Sequence, residues 1–212
     1  MNYERLIAVV REEGMMLVMQ HLELVGISLT IAIAVALPIG IVVTRPPVNR
    51  WAFQILSFLN TAQGVPSLAV VAIFLPIMGI GRLPSLVALT IYALLPIARN
   101  TIAGIEGVDP DVLEAARGMG MSPGRVLRRI ELPLALPVII AGIQTAAALT
   151  VGTATLAHLI AGGGLGRLIF SGISMHRPDY IIAGSLMTAA LAIMIDQLIG
   201  LVHRRISSRY SG

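Results

Sequence analysis

The sequence predicts an all-α, polytopic membrane protein with five transmembrane helices. Three observations predict it. Of 212 residues, 56% are hydrophobic and only 12% charged, whereas soluble domains carry about 25% charged residues. At about 20 residues per span, this length holds five or six membrane helices and little else. One polar stretch, Glu114–Pro133, interrupts the apolar chain. Such a stretch cannot lie in hydrocarbon, so it is a loop between spans. Its arginines, Arg117, Arg125, Arg128 and Arg129, place it in the cytoplasm, because short cytoplasmic loops carry the excess of Lys and Arg.

Met1–Glu23 mixes the charges Glu4, Arg5, Arg11, Glu12 and Glu13 with Leu6, Val9, Val10 and Leu17. That pattern predicts an amphipathic helix lying at the membrane interface. The segment lacks the apolar core and cleavage site of a secretory signal peptide, which makes the first span an uncleaved anchor. Leu24–Thr44 is that span, bent at Pro38 and Gly40. Arg45, Pro46, Pro47 and Arg50 form a short basic loop, placed in the cytoplasm.

Trp51–Ile80 is apolar, too long for one straight span, and interrupted by Asn60, Gln63, Gly64 and Pro66. Two readings of it stand: a helix broken near Gly64-Val65-Pro66 where it faces protein or a water-lined path, or a kinked helix whose polar groups are satisfied by neighbours. Gly81-Arg82-Leu83-Pro84 is a tight external turn before the third span, Ser85–Thr101. The fourth span, Leu134–Ile160, carries Gln144, Thr145, Thr150, Thr153, Thr155 and His158. Ala161–Tyr180 is glycine-rich and is expected to be aqueous and external. Its Gly162-Gly163-Gly164-Leu165-Gly166 run follows no strand and is not a phosphate cradle. Ile181–Val202 is the fifth span, closed by His203-Arg204-Arg205. The arginines then fall mostly inside, giving an external N-terminus and a cytoplasmic C-terminus. The expected organisation is a single transmembrane domain over residues 1–212: segment 1–23, five-span core 24–202, cytoplasmic loop 106–133 and cytoplasmic tail 203–212.

The loop carries its own start and stop signals. Asp109-Pro110 is an N-cap residue followed by proline at the first helical position. Asp111 adds negative charge at the positive helix end. A short helix over Pro110–Arg117 follows, ended by Gly118 and Gly120. Ser122-Pro123 repeats the start signal for a second short helix toward Ile130, and Leu132-Pro133 opens the next span.

Several classes of chemistry are excluded or disfavoured. The chain contains no lysine and no Gly-x-x-x-x-Gly-Lys-Ser/Thr loop, so any ATP would be bound by another chain. Zero cysteines exclude disulfides and thiolate metal sites. His21, His158, His176 and His203 are scattered, with no pair at ligand spacing. No catalytic constellation is found. The arginines sit at span ends, which reads as topology and not as nucleic-acid binding. Asp196, the one acid within a span, stands within two helical turns of His203 and Arg204. It reads either as a transport residue or as a paired interfacial acid. Asn60, Gln63, Pro66, Gln144, Thr145, Thr153 and Asp196 are the candidates for a translocation path. Helix–helix hydrogen bonding is the alternative for the threonines and Gln144.

Glu114-Ala115-Ala116, then Gly120, Ile130 and Leu132-Pro133, at this spacing, resemble the "EAA" signature of ABC importer permeases. Further segments resemble the osmoprotectant branch of that class: Val65-Pro66-Ser67-Leu68-Ala69, Tyr92-Ala93-Leu94-Leu95-Pro96-Ile97, Glu131-Leu132-Pro133-Leu134-Ala135-Leu136-Pro137 and Gly162–Gly166. The similarity covers about Leu24–Val202. It implies a type I ABC importer permease fold, with the first short loop helix as a coupling helix gripped by a cytoplasmic ATP-binding subunit. The implied coupling residues are Asp111, Glu114, Ala115, Ala116, Arg117, Gly118, Gly120, Ile130, Leu132 and Pro133.

The implied cargo is a compatible solute such as glycine betaine, choline or carnitine. The implied partners are ATPase subunits that bind ATP and Mg, an external substrate-binding protein, and a second, identical or homologous permease subunit, all at a bacterial inner membrane. The chain itself is expected to be neither an enzyme nor a cofactor binder. The competing readings are a permease for methionine, taurine or another small solute, an ATP-independent channel or secondary carrier, and a structural membrane protein.

Overall fold

Residue 7 and residues 9–210 are described by a computed structural model. The described residues form helices and turns only, in the order α1 Met15–Val43, α2 Ala52–Gly64, α3 Ser67–Met78, α4 Arg82–Glu106, α5 Pro110–Gly118, α6 Pro123–Val126, α7 Leu132–Ala154, α8 Gly166–Ser174 and α9 Pro178–Tyr210. Helix α4 is the central strut. It packs along its length against α1 on one side and α7 on the other, and α2 and α3 lean on it. Helix α9 packs on α7 and α8. The α4–α7 crossing is close because α7 offers Gly142: a Cβ there would stand 2.5 Å from Asn100 Cβ and 2.8 Å from the Pro96 carbonyl.

Among the described residues, four helical stretches are long and apolar enough to cross a membrane: Val10–Val43, Arg82–Glu106, Pro123–Ile160 and Pro178–Arg205. The predicted second span is the exception. It is broken into α2 and α3, of 13 and 12 residues, each too short to cross alone. Val65 (ψ 130°) and Pro66 (ψ 133°) are extended, as expected of a proline and the residue before it. Of the two readings of Trp51–Ile80, the broken helix is the one the structure adopts.

Three expectations are corrected. Residues from Val10 onward do not lie as a separate interfacial helix. A π-helical turn, Val10–Gly14, runs straight into α1, making a rod of 34 residues or about 50 Å. Two residues of the apolar stripe are core: Val9 and Leu17 pack against Leu165, Leu168, Ala183 and Leu191, whereas Val10 is exposed. The part of that expectation resting on residues 1–6 and 8 lies outside the described residues. Second, Ala161–Tyr180 is not simply aqueous. It folds back as α8, which buries Gly166 at its start and Leu168 and Gly172 on one face, with Leu165 fully buried before it.

Third, Leu132-Pro133 does not open a new helix. Helix α6 passes through a π-helical turn, Leu127–Glu131, directly into α7. The Leu132 amide reaches back to the Leu127 carbonyl. This wider i→i−5 turn absorbs the break that Pro133, lacking an N–H, would otherwise impose.

Candidate functional site

The loop between α4 and α7 begins as its residues dictate. The Asp109 carboxylate accepts from the Asp111 amide at 2.9 Å, capping α5 behind Pro110. At the other end Gly120 takes φ 75°. Its amide donates to the Arg117 carbonyl at 2.9 Å, and the Met121 amide reaches the Ala116 carbonyl at 3.2 Å. This is a Schellman closure, and the left-handed residue it needs is the glycine. The predicted Ser122 cap is partial. Its carbonyl accepts from Arg125 and Val126 at 2.8 and 2.9 Å, while its hydroxyl makes no cap bond.

The cap and closure present one face outward. Asp111, Glu114, Ala115 and Gly118, at i, i+3, i+4 and i+7, are all exposed, and so are Arg117 and Gly120. The paired alanines separate: Ala115 is exposed, whereas Ala116 is buried. Ile130, Leu132 and Pro133 are half-buried where the loop enters α7.

Beneath the loop lies a feature the sequence reading did not single out. Arg45, just after α1, pairs with the buried Glu131 in the π turn. Both guanidinium Nη groups donate to the carboxylate, one at 3.0 Å to Oε1. The pair and Arg117 line a cavity of about 330 Å³ with Pro46, Met121, Pro123 and Val126. The loop's exit is thereby tied to the end of the first span. The available signal was a lone acid between apolar Ile130 and Leu132, which demands a partner wherever it is buried.

The path candidates fall into two groups. At the break, Asn60 and Pro66 are exposed, while the Gln63 amide donates to the Tyr92 carbonyl at 2.8 Å and the Tyr92 hydroxyl donates to the Val65 carbonyl. Both acceptors are left over by prolines. Pro96 has no N–H to offer Tyr92 four residues earlier, and Ala69 turns to the Pro66 carbonyl instead of Val65. Tyr92 and Gln63 thus close the gaps that Pro66 and Pro96 open. Tyr92→Phe is expected to leave the Val65 carbonyl without a donor, at about 1–3 kcal/mol. Hydrogen exchange checks it: the amides of Ala69 and Val70 should exchange faster, and unchanged rates would refute the clamp.

In the second group, Gln144 Nε2 donates to Asp196 Oδ1 at 2.6 Å, joining α7 to α9. Gln144, Thr145 and Asp196 share a cleft of about 420 Å³ with Ala141, Ala148, Leu149 and His203. The Thr145 hydroxyl bonds back to the Ala141 carbonyl at 3.0 Å, and Thr153 to Leu149 at 2.9 Å. Thr153 does not line this cleft.

The sequence reading also passed over His21 as one of four scattered histidines. It is fully buried in α1. Its Nδ1 accepts from the Leu165 amide at 3.2 Å and its Nε2 faces the Val151 carbonyl at 3.1 Å. Gln20 accepts from the Gly164 amide at 3.2 Å. The first span therefore pins the glycine-rich run, whose freed backbone amides need these acceptors.

An interrupted second span, a strut helix between two long ones and a capped loop helix define a class: the permease subunit of a type I ABC importer. A subunit of the MetNI methionine ABC transporter, in an inward-facing form, superposes with a TM-score of 0.81 at 23% identity, covering 92% of this chain and 98% of that one. The chain belongs to the family described as binding-protein-dependent transport system inner membrane component, which matches residues 36–208. It is 43% identical over 188 residues to the choline transport system permease protein OpuBB of Bacillus subtilis, covering 89% of this chain and 86% of that protein. It is 42% identical over 190 residues to the glycine betaine/carnitine/choline transport system permease protein OpuCB of the same organism, covering 90% and 87%. The osmoprotectant import permease protein OsmY of Salmonella typhimurium is 42% identical over 188 residues, covering 89% and 80%.

Proposed function

We propose that the chain is the membrane-spanning subunit of an ATP-driven importer for a compatible solute of the quaternary-ammonium type, such as choline, glycine betaine or carnitine. The observation that carries this reading is the agreement of relatives named for these solutes across nearly nine-tenths of the chain. The solute is delivered by a separate external binding protein, and two permease subunits enclose the path. ATP and Mg are bound and turned over by cytoplasmic partner chains, which grip α5. The bundle sits in a bacterial inner membrane with its N-terminus outside and its C-terminus inside, as the arginine distribution favours.

The outward stripe Asp111–Glu114–Ala115–Gly118 is the surface offered to the ATPase. Its small residues allow close approach, and its two acids suit basic groups on the partner. Helix α5 is fixed at its ends by its cap and its Schellman closure, and the ion pair beneath it ties the loop's exit to the end of α1. A push on this stripe is therefore carried into α7 and α1 and shifts the spans between inward and outward access.

Ala115→Leu is expected to abolish solute uptake while leaving membrane insertion intact, and Gly120→Asp should do the same by straining the φ 75° turn. Uptake of labelled choline or glycine betaine into cells, scored beside membrane abundance, checks both. Normal uptake at normal abundance would count against docking through α5. Uptake that proceeds with the ATPase subunits removed would favour a channel or secondary carrier.

A further inference from the structure

The outer surface of the bundle is not uniform. On α1 the exposed positions Ile27, Ile31, Val35, Ile39 and Val42 form an unbroken aliphatic stripe suited to lipid. On α7 the aliphatic positions Leu134, Val138 and Leu149 are exposed too, but they are interspersed with exposed Thr145, Ala148 and Gly152, and a Cβ at Gly152 would meet nothing within 4 Å. Thr145, Ala148 and Leu149 of this face line the cleft that holds Asp196. Counting from His203 at the cytoplasmic rim, Asp196 lies seven residues in, or about 10 Å along the helix at 1.5 Å per residue. Its short side chain cannot snorkel that distance as a lysine or arginine would. A carboxylate at this depth opens onto water or a partner, not onto lipid.

We propose that the α7–α9 cleft is a cation-drawing station on the solute path, with Asp196 as the group that attracts the ammonium end of the cargo. The inference rests on the import reading above and adds the residue and the charge. Gln144 holds the carboxylate by Oδ1 at 2.6 Å beside the space walled by Ala141, Thr145, Ala148 and Leu149. These side chains leave room for a methylated nitrogen. Among the described residues no Phe, Tyr or Trp lines the cleft, so the attraction is electrostatic and weak, as a passage site requires.

The chain has no cysteine, which permits a direct test in the assembled importer. Thr145→Cys should react with a trimethylammonium-bearing methanethiosulfonate about tenfold or more faster than with a sulfonate-bearing one. Asp196→Asn preserves the bond from Gln144 and should bring the two rates toward parity. Val35→Cys, on the lipid face, should resist both reagents. A Thr145→Cys subunit as unreactive as Val35→Cys, or a charge preference that survives Asp196→Asn, overturns the inference.

In proteoliposomes with binding protein saturating, Asp196→Asn should slow choline uptake at least tenfold, with membrane abundance unchanged. Equal uptake overturns the inference while leaving the import reading intact. A wild-type complex that carries no ammonium solute overturns the import reading, and the labelling ratio then judges the cleft alone.

Discussion

Replacing Arg45 by methionine is expected to destabilise the protein more than replacing its partner Glu131 by glutamine. The asymmetry follows from burial: the Arg45 side chain keeps 35% of its surface exposed, whereas that of Glu131 keeps 4%. Losing Arg45 strands a buried carboxylate, at about 3 kcal/mol, the low end of the ~3–5 kcal/mol for breaking a buried pair. Losing the charge of Glu131 leaves a guanidinium that can still reach water and still donate to the glutamine oxygen, at about 1 kcal/mol. Arg45→Met combined with Glu131→Gln should cost less than the sum, because no charge is then left unpaired. Thermal unfolding of the purified complex measures this at about 2–4 °C per kcal/mol. Additive costs, or a larger loss from Glu131→Gln, would show that the pair does not anchor the loop.

Gly166→Ala should prevent accumulation of folded protein. A Cβ at Gly166 would stand 1.9 Å from the Thr155 carbonyl oxygen and 2.9 Å from its Cα. The obstacle is backbone at the end of α7, where no side chain can swing aside. Ordinary overpacking costs about 1–3 kcal/mol, and this contact exceeds it because α8 must leave the core to relieve the clash. Gly26→Ala in α1 is the control: its added Cβ meets nothing within 4 Å, and alanine is the better helix former by about 1 kcal/mol. Membrane-inserted, protease-resistant protein should be lost in the first variant and retained in the second. Equal recovery would mean that α8 does not seat against α7 as described.

The capped helix α5 was legible because its signals are local. Asp109, Pro110 and Gly120 act within one or two turns of themselves, and the observed cap and closure use those residues. The second short helix was wrongly separated from the following span at Leu132-Pro133 because a π turn depends on what the segment packs against, not on its own composition. The amphipathic stripe through Val9 and Leu17 was visible, but its partner was not. An apolar face looks the same in sequence whether it meets lipid or protein, and Leu165 and Leu168 lie nearly 150 residues away along the chain. Separations of 86 and 144 residues likewise hid Arg45–Glu131 and His21–Leu165, since side chains far apart in sequence reveal no pairing until the helices are set beside one another.

What the sequence determined by itself is therefore the membrane class, the loop helix, and the cap and closure of that helix. These follow from hydropathy summed over some twenty residues and from backbone chemistry within a few. What only the tertiary structure decided is how the prolines, buried charges and polar groups inside the bundle are satisfied. Tyr92 answers Pro66, Gln63 answers Pro96, Arg45 answers Glu131 and Gln144 answers Asp196. Each of these groups must find a partner once water is gone, and which partner it finds is fixed by helix packing alone.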